Sequence, residues 1–161
     1  MSYSSNLHLV VVLAMFMSSV SAVGDPTVTH CYENGQFPCG LCGLPINLTI
    51  IARNQLREPH FELKATLVNR QQRQLLFMVE DAARIVDGFN RFKATYYAGL
   101  GYLIDTIQGI TGSIVEKTFW HMISINSTVG SFKCGASDYV PNNGETIMFN
   151  FTTYSQAGLD F

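Results

Sequence analysis

The chain has 161 residues, 47% of them hydrophobic and 14% charged, and a formal charge of −2 at neutral pH. That near-neutral balance offers no basic footprint for nucleic acid or for an acidic membrane surface. The length suits one domain built around a single core.

Residues 9–16 form an apolar run, and Val20, Ser21 and Ala22 supply the small residues that a signal peptidase needs. Residues 1–22 are therefore expected to be a secretory leader cleaved after Ala22, although no Lys or Arg precedes the run. The run is shorter than the about 20 residues of a bilayer span, no later segment qualifies, and the C-terminus has no hydrophobic lipid-anchor tail. The expectation is a secreted, extracellular protein with no membrane span. Sequons at Asn47-Leu48-Thr49, Asn126-Ser127-Thr128 and Asn150-Phe151-Thr152 fit that route and mark Asn47, Asn126 and Asn150 as glycosylation sites.

Residues 23–45 are rich in Gly, Pro and Cys with no apolar period, and read as an irregular arm. Cys31, Cys39, Cys42 and Cys134 form an even set, which after export implies two disulfides with three possible connectivities. A bridge from the arm to Cys134 would hold it to the domain, closing a long loop worth roughly 3 to 5 kcal/mol. A redox or zinc role for Cys39 and Cys42 is outweighed, because no second Cys-x-x-Cys or nearby His completes a metal site.

From residue 46 onward the pattern is that of a folded domain. Ile46, Leu48 and Ile50 alternate with Asn47 and Thr49, and Phe61, Leu63, Ala65 and Leu67 alternate with Glu62, Lys64 and Thr66, giving two strands joined through a polar linker at 53–59. From Gln71 the period becomes helical. Leu75, Leu76, Val79, Ala82, Ala83 and Val86 form one stripe that Gly88 ends, with Glu80–Arg84 and Asp87–Arg91 at i,i+4 spacing as solvated pairs. Short strands follow over 92–97, 102–107, 118–125 and 145–154. This order predicts an α+β fold: a small mixed β-sheet packed on one helix, β-grasp-like, with the disulfide-held arm in front.

Glycans force their asparagines toward water. Asn47 lies opposite Ile46 and Leu48, and Asn150 opposite Phe149 and Phe151. If the strand from 118 runs unbroken, Asn126 lies opposite Phe119, Ile123 and Ile125. By that count Trp120, Met122 and Ser124 point outward and His121 inward. Trp120, the only Trp, then becomes a ligand position, with Tyr96, Tyr97, Tyr102 and Met122 extending an aromatic surface beside it. The competing reading has Trp120 packed beneath a loop. No hydrolase, zinc-protease, phosphate-loop or dinucleotide motif occurs, so the chain is expected not to be an enzyme and to need no enzyme cofactor. The histidines His8, His30, His60 and His121 are dispersed. A satisfied core or edge histidine is a plainer reading of His121 than an axial ligand to cobalt, and no metal site is expected.

Several short segments keep a recognisable order: Ile107-Gln108-Gly109-Ile110, Lys117-Thr118-Phe119-Trp120, Gly135-Ala136-Ser137-Asp138-Tyr139-Val140-Pro141 and Phe151-Thr152-Thr153-Tyr154. Together they resemble the C-terminal β domain of the transcobalamin and gastric intrinsic factor family, over residues 46–154. The resemblance implies a domain at 46–161 without the α-helical barrel domain those carriers place before it. It also implies a non-enzymatic lid that closes over cobalamin through backbone and apolar contacts. The family's two contact segments fall here on Gly99, Leu100, Gly101, Tyr102, Leu103 and Ile104, and on Trp120, His121, Met122 and Ile123. The chain differs from the family at Gly99-Leu100-Gly101, where an aromatic is absent, and in a longer loop over 126–134. The implied ligand is cobalamin or a related corrinoid, and the implied partner is a helical subunit or a cell-surface protein. The alternative is an extracellular interaction or matrix module that keeps the scaffold and has lost cobalamin.

Overall fold

A computed structural model describes residues 44–126 and 130–158. The expected leader, most of the arm, and Cys31, Cys39 and Cys42 lie outside the described residues.

The fold is α+β and contains two sheets where one was expected. The elements are β1 (Pro45–Asn54), β2 (Phe61–Gln71), α1 (Leu75–Ala83), β3 (Lys93–Tyr97), β4 (Gly101–Ile107), β5 (Ile110–Thr111), β6 (Thr118–Ser124), β7 (Gly130–Ser131) and β8 (Glu145–Thr153), with a 3-10 turn at Phe89–Arg91. The larger sheet has the order β2-β1-β8-β6-β7. Its one parallel pair is β1 with β8, and the other neighbours are antiparallel. The smaller sheet, β3-β4-β5, is antiparallel throughout.

Alternation in β1 and β2 settles which face is buried: Ile46, Leu48, Ile50 and Ala52 turn inward with Ala65 and Leu67, and meet Ile147, Phe149 and Phe151 of β8. Asn54 ends β1. Its amide, fully buried, donates to the carbonyls of Arg57 and Pro59 at 2.8 Å each and its oxygen accepts from the Leu56 N–H, so one side chain shapes the turn into β2.

The helix is shorter than the stripe predicted. It spans Leu75–Ala83 and places Leu75, Met78, Val79 and Ala82 on the inner sheet face, with Leu76, Ala83 and Val86 half-buried. Its start carries no side-chain cap. The N–H groups of Leu75 and Leu76 instead donate to the carbonyls of Tyr139 and Ala136, at 2.8 and 2.9 Å. The expected Glu80–Arg84 and Asp87–Arg91 pairs do not form. Arg84 and Arg73 both bond Asp81, at 3.1 and 2.6 Å, and Arg91 bonds Gln108. Asp81 is buried, and a carboxylate withdrawn from water draws the nearby cations to itself.

Candidate functional site

β6 reverses the parity read from the sequence. Trp120, Met122 and Ser124 face the core, whereas Phe119, His121 and Ile123 face the opposite side of the sheet and are half-buried. Trp120 is only 5% exposed. Its ring packs on Phe61 and Phe151, and its indole N–H donates to the Ile110 carbonyl at 2.9 Å. The alternation breaks at the strand end: β6 stops at Ser124, so Asn126 is exposed without its parity extending back through the strand. Asn126 is held there by a turn, its amide donating to the Gly144 carbonyl and its oxygen accepting from the Thr146 N–H. Asn47 is exposed and Asn150 lies on the outer face, as their strands predicted.

His121 is likewise not an inward residue. One ring nitrogen lies 2.6 Å from the Ser131 hydroxyl, and partial burial lowers its pKa from the ordinary imidazole value. Met122 is buried and cannot form part of an exposed aromatic surface. The Trp120 indole is therefore separated from the Gly99–Gly101 end of the first segment. Ile110, which holds the indole, pairs with Ile107 at the far end of β4 from Gly101, and six strand residues span roughly 20 Å.

The first segment has the geometry of a site. β3 and β4 form a hairpin in which Tyr96 pairs with Tyr102 and Ala94 with Ile104. Ile104 is buried in the core. One step outward on the same face, Tyr102 and Tyr96 are 41% and 62% exposed, with ring centroids 5.4 Å apart in an edge-on contact. The hairpin thus runs past the end of the core and carries its aromatic face into solvent. Tyr97 and Leu100 are exposed beside it, Gly99 lies in the exposed turn, and Leu103 is half-buried.

A second strand of backbone holds this hairpin. The N–H of Gly135 donates to the Leu100 carbonyl at 2.5 Å, that of Ala136 to the Tyr102 carbonyl at 2.7 Å, and the Tyr102 N–H donates to the Ser137 hydroxyl at 2.8 Å. The approach is close enough that a Cβ on Gly135 would lie 2.7 Å from the Leu100 carbonyl oxygen, and one on Gly101 would lie 2.6 Å from Asp138 Oδ1. The same segment receives the first N–H groups of α1, so hairpin and helix share one support. Behind it Tyr139 is fully buried. Burial first, then its hydrogen bond to Glu145 and that carboxylate's charge, raise its pKa, so the hydroxyl keeps its proton and donates to Glu145. The Gly135–Pro141 motif was visible in the sequence, but its role as a clamp was not, because the contacts join residues 35 positions apart.

Among the described residues no group of three or more His, Cys, Asp or Glu side chains could hold a metal ion, and no helix is long and apolar enough to cross a membrane. Cys134 is disulfide-bonded.

No protein-family model matches the chain. Its sequence is similar to cobalamin binding intrinsic factor of Homo sapiens, 30% identical over 111 residues, which is 67% of this chain and 26% of that protein. The Rattus norvegicus protein of the same name is 29% identical over the same length. Among solved structures, haptocorrin in complex with Cbi superposes with a TM-score of 0.54 at 22% identity, over 74% of this chain and 27% of that one. The chain fits a transcobalamin-family C-terminal domain. It spans about a quarter of the length of the curated relatives it matches. A protein from Ruminococcus gnavus ATCC 29149 shares the fold at a TM-score of 0.50 and 11% identity, over 97% of its own chain.

Proposed function

We propose that this is a secreted, non-enzymatic binding domain whose β3–β4 hairpin caps cobalamin or a related corrinoid. The observation that carries the reading is the solvent-facing Tyr96–Tyr102 pair at the end of a hairpin whose backbone is fixed by Gly135, Ala136 and Ser137. A flat, broad ligand gains from an aromatic shelf that is rigid before binding, since little ordering entropy is then lost. Similarity of the domain to proteins named for cobalamin binding supports the choice of ligand class. Trp120 takes no part in this contact and acts as a core residue. The Tyr96–Tyr102 shelf covers one side of such a ligand, and a helical partner subunit would wall the other.

Equilibrium dialysis of the secreted protein against cobalamin, alone and with the helical domain of a cobalamin carrier, tests the proposal. Saturable binding that weakens on Tyr102→Ala supports it. Silence in both arms, with one stoichiometric protein recovered from secreted fluid by the same hairpin, would turn the reading toward an interaction module.

A further inference from the structure

β2 is an edge of the larger sheet, and among the described residues no strand lies beyond it. β1 takes one side of its backbone over Phe61–Leu67, and no hydrogen bond among the described residues reaches the main chain of that stretch from the other side. An open edge of this kind presents alternate N–H and C=O groups ready to extend the sheet. Its far end is closed. The register with β1 slips between Ile46 and Leu48, Asn69 takes a φ of 53°, and its N–H donates to Asn47 Oδ1 at 2.9 Å. Only the straight stretch before that bulge can accept a further strand.

Charge decides which strand fits. Glu62, Lys64 and Thr66 are exposed on the outer face of the stretch, while Phe61 and Leu63 are half-buried at the rim of the core. Glu62 holds Arg53 through Oε2 alone, at 2.6 Å, and Lys64 has no ion-pair partner among the described residues. The backbone groups that face outward alternate along β2, so two copies of this edge, run antiparallel, pair only residues of the same parity. A two-fold axis at Lys64 would set lysine against lysine, and one at Glu62 would set glutamate against glutamate, both of which are destabilising. An axis at Ala65 or Thr66 runs into the bulge, and one at Phe61 into the turn that precedes the strand. With the axis at Leu63, Glu62 of each copy faces Lys64 of the other, and the two half-buried leucines meet at the centre.

We propose that β2 is a self-association edge through which two copies of this chain pair antiparallel about Leu63 and join their larger sheets into one. Main-chain hydrogen bonds and the leucine contact supply the affinity. The two Glu62–Lys64 pairs, exposed and individually weak, choose the register and exclude the alternatives. The contact is isologous, so it closes at the dimer and leaves this edge covered in both copies. It does not rest on the ligand reading, since Tyr96 and Tyr102 belong to the smaller sheet.

Sedimentation velocity of the purified protein at rising concentration is expected to show a monomer–dimer equilibrium. Lys64→Glu and Glu62→Lys, both at exposed positions, should each weaken the dimer by roughly tenfold or more, because like charges then face one another across the axis. Mixed in equal amounts, the two variants should form a heterodimer, since each now offers the charge that the other lacks at both pairs. General damage to the fold would not produce that recovery. A protein that stays monomeric at every concentration, a dimer indifferent to both substitutions, or a mixture that associates no better than either variant alone overturns the proposal.

Discussion

The indole N–H of Trp120 donates to the main-chain carbonyl of Ile110 at 2.9 Å, which fastens β6 to β5 and joins the two sheets. A ring buried this way, between Phe61 and Phe151, serves cohesion and leaves ligand contact to other residues. Trp120→Phe should cost about 2 kcal/mol, from the lost hydrogen bond, the unpaired carbonyl and the space left by the smaller ring. Chemical denaturation measures it. Binding of cobalamin per folded molecule should be unchanged, and a selective loss of binding with full stability would return Trp120 to the site.

The hairpin should behave in the opposite way. Tyr102→Ala removes an exposed ring and half of its pair with Tyr96, so stability should shift by less than about 1 kcal/mol. Cobalamin affinity should fall by roughly tenfold or more. Paired denaturation and dialysis measurements separate the two effects.

Gly135→Ala tests the clamp. The new methyl would press on the Leu100 and Tyr102 carbonyls, both backbone atoms of the hairpin it supports. The strand must move away, with an expected cost of about 2 kcal/mol or more. Amide exchange at Gly135, Ala136 and Tyr102 should accelerate before the rest of the sheet. Exchange left unchanged there would refute the clamp.

Tyr139→Phe removes a donor to both carboxylate oxygens of Glu145, which still receives the Ser124 hydroxyl and the Asn142 N–H. A loss of about 1 to 2 kcal/mol is expected from leaving that buried acceptor less satisfied. Thermal denaturation at neutral pH reads it directly.

His121 gives the pH dependence a sign. Burial lowers its folded-state pKa below the unfolded value of about 6.5, so between the two values the unfolded chain binds the proton more tightly. Its contribution to stability is full above the unfolded value and falls as pH drops toward the folded one. Denaturation midpoints should therefore decline on acidification below about pH 6.5, and His121→Gln should flatten that part of the profile. An unaltered slope in the variant would assign the effect elsewhere.

The sequence alone determined the local elements, because their periods are set within a few residues. Alternation over 46–50 and 61–67 gave β1 and β2, the helical stripe gave Leu75, Val79 and Ala82, and the ordered motifs from Ile107 to Tyr154 gave the family likeness. It could not decide which side of β6 is inner, since Phe119, Trp120, Met122 and Ile123 are apolar on both parities. That choice is made by the strands flanking β6 and by Ile110 reaching the indole, contacts local periodicity does not encode. Tertiary structure likewise chose Tyr96 and Tyr102 as the exposed pair. Residues on one hairpin face are identical in pattern until the core ends beneath them, and only the position of that edge puts Ile104 inside and the two tyrosines in water.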